Sequence, residues 1–165
     1  MLIYLLRHGI AEEGGGGMRD GERALTDEGW KKLRKSSAVW RQLVEPPQVV
    51  FSSPLRRARE TASVLVEALG RKLDVRIDDA LVPSAPAAVA MSLLEAEQHS
   101  GTTSVAVVGH EPHLGYLLGL LLTGHPRLPI PLKKGMLVAV ETESAASLIA
   151  GLRFALSQRA AGELD

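Results

Sequence analysis

The chain has 165 residues, 45% apolar and 23% charged, the proportions of a globular protein organised as one domain over 1–165. Nineteen basic and nineteen acidic side chains cancel, leaving no net pull toward nucleic acid or a membrane surface. The absence of cysteine excludes disulfides, a thiol nucleophile and a thiolate metal site, and no segment has the length or apolarity of a bilayer span or signal sequence. The expectation is a cytoplasmic monomer with no metal, cofactor, nucleic-acid or membrane partner.

Met1–Leu6 is a continuous apolar run, the pattern of a strand buried on both faces. It stops at Arg7-His8-Gly9, where a guanidinium and an imidazole meet a glycine turn, groups suited to a phosphorylated ligand. The stretch Glu12–Asp20 contains Gly14-Gly15-Gly16-Gly17. No Gly-Lys-Ser/Thr follows it, and Glu12 and Glu13 would repel phosphate, so it reads as a flexible surface loop that shapes access to the preceding residues.

A helix is predicted from Thr26, as N-cap, to about Val44; Lys31, Lys32, Arg34, Lys35 and Arg41 make it basic, which reads first as a solvated face and second as a surface for docking an acidic partner. Val49–Phe51 reads as a buried strand, and Leu55 to about Leu69 as a helix stopped by Gly70. Leu73–Ile77 alternates like a half-exposed strand. Pro86 to about Gln98 reads as a helix capped by Ser84, Ser104–Val108 as a buried strand, and Pro112 to about Leu122 as a helix ending before Gly124. Both prolines suit the first helical turn. Met136–Glu141 and Ser147–Phe154 read as a closing antiparallel pair. The sum is an α/β fold in three layers, a mainly parallel sheet with helices on both faces.

Ligands of open α/β sheets bind at the carboxyl ends of the strands. The first strand ends in Arg7 and His8, and the second in Ser52-Ser53-Pro54-Leu55-Arg56-Arg57-Ala58, with Thr61-Ala62 beyond. The strand at Ser104–Val108 ends in Gly109-His110-Glu111-Pro112-His113. Two imidazoles and at least two arginines thus reach one sheet edge. Such a set suits a dianion, since guanidinium forks and imidazole N–H groups both donate to phosphoryl oxygens.

Arg7-His8-Gly9, the Ser53–Ala58 stretch with Thr61-Ala62, and Gly109-His110, in that order, resemble the histidine phosphatase (phosphoglycerate mutase-like) superfamily. The chain length, Leu25-Thr26 through Gly29, and Val107-Val108-Gly109-His110 resemble its SixA-type phosphohistidine phosphatases. The resemblance extends to about Phe154. It implies a phosphoglycerate mutase-like fold and a hydrolase in which His8 takes the phosphoryl group as a covalent phosphohistidine. Arg7, Gly9, Arg57 and His110 would bind the phosphoryl group, with catalysis resting on His8, Arg7, Arg57 and His110. Physical reasoning agrees: a nucleophilic imidazole must be neutral, and neighbouring cations disfavour its protonated form. Arg7, Arg57 and His110 would then hold the oxygens of an in-line transition state. The family pattern selects Arg57, leaving Arg56 and Arg59 as solvated.

Many members carry a glutamate after the third strand, in a Leu-x-Glu pattern, that protonates the leaving oxygen. The matching Leu81-Val82-Pro83 has no carboxylate, although Asp78 or Asp79 stands near. An imidazole leaving group, with a pKa of about 6.5, needs an acid far less than an alcohol does. Ala11, where mutase-like members place threonine, also points away from the mutases. The expected partner is a phosphorylated protein carrying phosphohistidine, with a small phosphorylated metabolite, hydrolysed as a phosphomonoester, as the alternative. A non-catalytic phosphate-binding module is a third reading, against which both histidines and both arginines argue. His113 is expected at the surface or behind the site at its helix start, and His99 and His125 in solvent.

Overall fold

The computed structural model describes residues 1–70, 73–144 and 146–164. Six strands form one sheet: β1 (Leu2–Arg7), β2 (Val49–Ser52), β3 (Asp74–Ile77), β4 (Ser104–Gly109), β5 (Leu137–Ser144) and β6 (Ser147–Leu156), in the order β3-β2-β4-β1-β5-β6. The pairs β3–β2, β2–β4 and β4–β1 are parallel, whereas β5 and β6 add antiparallel strands at the other edge. Among the described residues five α-helices pack around it: α1 (Asp27–Leu43), α2 (Arg56–Leu69), α3 (Ala87–His99), α4 (His113–Thr123) and α5 (Gln158–Leu164).

The apolar run of β1 is explained by its place inside the sheet. Tyr4 and Leu6 face one side, in a core built with α1, α2 and α5, while Ile3 and Leu5 face the other, among side chains of α3 and α4. Fully burying one such aliphatic side chain contributes about 1.5–3 kcal/mol, so both faces of β1 hold the three layers together. Tyr4 keeps its polar tip satisfied by accepting from the Glu45 N–H at 3.0 Å.

Local chemistry sets the helix ends. Thr26 Oγ1 accepts from the Gly29 N–H at 3.0 Å, as an N-cap should, and Gly70 and Gly124 close α2 and α4 in the left-handed conformation. Pro86 and Pro112 sit one position earlier than expected, at the N-caps of α3 and α4. Ser84 is exposed and does not cap α3. All four residues of β3 are exposed rather than alternating, because β3 is a short edge strand. The helix α5 had no sequence signal: its seven residues bury one side chain, Ala161, and one contact gives no periodicity. Among the described residues no helix is long and apolar enough to cross a membrane.

The sheet register delivers the site. Arg7 pairs with Gly109 and Ser52 with Val108, so β1, β4 and β2 end nearly level. The next residue of each continues the pattern, His8 N–H donating to the Gly109 carbonyl and Ser53 N–H to that of Val108, both at 3.0 Å.

Candidate active site

His8 leaves β1 with its ring buried, and Nδ1 lies 2.7 Å from the Gly9 carbonyl. A carbonyl oxygen only accepts, so Nδ1 carries the proton and Nε2 keeps a free lone pair. Burial pushes the His8 pKa down to about 4; Arg57, Arg7 and Lys134 push the same way, while the Gly9 bond opposes them. The ring is therefore neutral around pH 7.

The turn that holds this ring tolerates no side chain. A Cβ on Gly9 would stand 2.7 Å from Leu33 Cδ1, and one on Gly29, in the first turn of α1, 2.1 Å from the Ile10 carbonyl oxygen. These two glycines let α1 lie directly against the loop that follows β1. Thr61 ties that loop to α2, accepting from Gly9 N–H at 3.2 Å and donating to the Arg57 carbonyl at 2.7 Å.

The His110 ring lies 5.0 Å from that of His8, tilted by 52°. Its Nε2 is 2.8 Å from Ser53 Oγ, which itself accepts from the Leu55 N–H at 3.4 Å. The Ser53 hydroxyl proton is free to point at Nε2, and in that arrangement the His110 proton lies on Nδ1. Burial, then the neighbouring His8 and Arg57, lower the His110 pKa to about 2, with Asp20 opposing and His113 adding slightly.

Each arginine is fixed through its outer nitrogens. Arg7 Nη1 donates to the Leu132 carbonyl at 2.6 Å. Arg57, 4% exposed, donates from Nη1 to the Asp20 carbonyl at 2.7 Å and from Nη2 to Asp20 Oδ2 at 2.9 Å. Arg7 Nε, Arg57 Nε and His110 Nδ1 remain buried without a hydrogen-bond partner among the described residues. A buried unmatched donor costs about 1–3 kcal/mol. Three of them around the neutral His8 ring suit the oxygens of an anion.

A family model for the histidine phosphatase superfamily (branch 1) matches residues 3–82. Phosphohistidine phosphatase SixA of Escherichia coli is 30% identical over 126 residues, spanning 75% of this chain and 76% of that protein. The chain belongs to the histidine phosphatase superfamily. Within it the chain is SixA-type, and it is a phosphatase of that superfamily. Its fold matches the structure of protein histidine phosphatase SixA complexed with tungstate, with a TM-score of 0.85, 23% identity and coverage of 96% and 98% of the two chains. Mycobacterial glucosyl-3-phosphoglycerate phosphatase shares the fold at a TM-score of 0.70, with 19% identity and coverage of 92% and 96%. The three-layer architecture expected of a phosphoglycerate mutase-like protein is the one observed.

The structure brings Arg7, His8, Gly9, Arg57 and His110 together at one sheet edge, and leaves Arg56, Arg59, His99 and His125 exposed. His113 does begin α4, yet it is 2% exposed rather than at the surface, because α4 packs its first turn inward. Sequence reasoning passed over three participants. Ser53 and Thr61 lie inside the recognised motif, and their positions there were the available signal. Asp20 gave none: it lies 37 residues from Arg57, in a 3-10 turn (Asp20–Glu22) after the glycine loop. The far end of the loop meets the site through Asp20, whose carboxylate is paired with Arg57. That salt bridge, and a second to Arg23, hold the Asp20 carboxyl below its usual range.

Proposed function

We propose that this phosphatase hydrolyses phosphohistidine on a protein, with His8 as nucleophile and Arg7, Arg57, His110 and the Gly9 turn as the phosphoryl-binding groups. His8 Nε2 attacks phosphorus as the P–N bond to the substrate imidazole breaks, and that imidazole leaves with a proton from solvent. Water then cleaves the P–N bond of phosphorylated His8, releasing inorganic phosphate and returning neutral imidazole. The partnerless donors Arg7 Nε, Arg57 Nε and His110 Nδ1 suit the oxygens on which charge builds. Gly9 contributes by receiving the Nδ1 proton bond that aims Nε2 outward.

The observation that carries the substrate class is the state of the nearby carboxylates. Leu81-Val82-Pro83 has none, Asp78 Oδ1 is engaged by the Ala80 N–H at 2.8 Å, and Glu111, beside His110, accepts from the Leu132 N–H at 3.0 Å. Asp79 is exposed in the adjoining 3-10 turn (Asp79–Leu81). Asp20 is held as an anion by Arg57, so it is a poor proton donor. An alcohol leaving group, with a pKa far above 7, needs such a donor, whereas imidazole at about 6.5 departs without one. The name of the Escherichia coli relative supports the same reading. The fold shared with a glucosyl-3-phosphoglycerate phosphatase supports a small phosphomonoester as the second reading.

Turnover of a histidine-phosphorylated protein, free phosphohistidine and a panel of monoesters separates the two. Phosphohistidine is expected to be cleaved fastest, and rapid monoester hydrolysis with no phosphohistidine cleavage overturns the proposal. His8→Ala should abolish the acid-labile, base-stable phosphoenzyme; its persistence would remove His8 from the nucleophile role.

A further inference from the structure

A groove of about 800 Å³ runs away from Arg7 between α1, residues 133–134 and α5. Its cations are Arg7, Lys32, Lys35, Lys133, Lys134 and Arg159, against one lining carboxylate, Glu163. In a chain whose charges cancel overall, this is a marked separation of sign. Lys32 is paired with Glu28 at 2.6 Å and Arg159 with Glu163 at 2.9 Å. Lys35, Lys133 and Lys134 form no salt bridge among the described residues.

The groove is built into the site. Gly135 N–H donates to the carbonyls of both Arg7 and His8 at 3.1 Å, binding the lysine-bearing loop to the end of β1. Gly135 has φ +67°, the left-handed conformation that favours glycine, and the Gln158 amide of α5 packs against its open side, 2.4 Å from where a Cβ would stand. Gln158 lines the groove, and its amide nitrogen is buried without a partner among the described residues. The Lys35 stem passes Gly162 of α5, with Cδ and Cε each 3.7 Å from where a Cβ would be, which props its charge along the same wall.

We propose that this groove docks an acidic segment of the phosphoprotein substrate, with aspartate and glutamate side chains flanking the phosphohistidine while its phosphoryl group sits at His8. The inference rests on the phosphohistidine reading above. Charge complementarity selects the occupant: cations from three separate segments reach further than one phosphoryl group can engage, and two of the walls are helices that an extended chain could lie between. Exposed charges of this kind act mainly on encounter and are screened by salt.

The test uses two synthetic phosphohistidine peptides, one flanked by glutamates and one by serines, alongside free phosphohistidine. The glutamate peptide is expected to have the higher kcat/KM, by about tenfold at low ionic strength, with the advantage shrinking at about 0.5 M salt. Lys35→Glu/Arg159→Glu should erase that preference while still cleaving free phosphohistidine, which also reports that the variant is folded. Equal turnover of the two peptides by the unaltered protein overturns the docking proposal and leaves the phosphohistidine reading standing. A preference that survives the double substitution or high salt overturns it too. Cleavage of none of the three phosphoramidates refutes the site reading itself, and the docking proposal falls with it.

Discussion

Neutral buried imidazoles make this protein acid-sensitive in a window set by histidine. His8 and His110 have native pKa values of about 4 and about 2 against 6.5 for the free side chain, chiefly because burial penalises the imidazolium. Between those limits the unfolded chain binds protons that the native protein refuses, so stability falls as pH drops below about 6.5. At about pH 5.5 an unfolded imidazole of pKa about 6.5 gains about 1.4 kcal/mol from protonation, and both native rings are still neutral. The two together cost about 3 kcal/mol, a large share of a typical 5–15 kcal/mol and about 6–12 °C of Tm for a chain of this size. His113, also lowered by burial, adds in the same direction. Asp20 contributes outside this window, since its pKa is lowered from 3.8 and its stabilisation is lost only as pH falls through the lower native value. Urea unfolding in a buffer without oxyanions, at about pH 7.5 and about pH 5.5, measures the difference. His8→Asn/His110→Asn should lose most of it. A wild-type midpoint that is the same at both values, or an undiminished pH dependence in the double variant, would refute the reasoning.

Two substitutions probe the loops around His8. Gly29→Ala in an ordinary helix gains about 1 kcal/mol, but here the new Cβ meets the Ile10 carbonyl oxygen at 2.1 Å, which is backbone and cannot step aside cheaply. The expected result is a loss of about 1–3 kcal/mol in urea unfolding with slower phosphoenzyme formation; equal or greater stability contradicts the packing account. Asp20→Asn removes the carboxylate that competes with an oxyanion for Arg57, at a position 59% exposed and therefore partly screened. Tungstate affinity, measured by calorimetry, should rise about two- to fivefold, and an unchanged or weaker affinity would show that Asp20 positions Arg57 rather than competing for it.

Much of the site was legible because its residues follow strands. An apolar run that ends in Arg7-His8, and another that ends in Gly109-His110, can be read locally, and parallel strands place their carboxyl ends together whatever their order. Arg57 came from a family pattern rather than from periodicity, and its burial then separated it from the exposed Arg56 and Arg59. Asp20 was illegible because a low-complexity loop carries no pattern that says where its far end lands. The basic groove was half legible: the cations of α1 read first as a solvated face and second as a surface for an acidic partner, and Lys32 and Lys35 are indeed exposed. No local signal shows that Lys133, Lys134 and Arg159 share that face, because α5 is too short to announce itself.

The sequence alone determined the order of the strands and of helices α1 to α4, the glycine stops of α2 and α4, the Thr26 cap and the chemical types gathered at the sheet edge. These depend on side-chain periodicity and backbone preferences spanning a few residues. Tertiary structure decided which nitrogen of His8 is bare, which donors of Arg7, Arg57 and His110 lack partners, and why both imidazoles are neutral. Those properties come from desolvation and from hydrogen bonds between segments far apart in the chain, and both exist only once the three layers have closed around the end of β1.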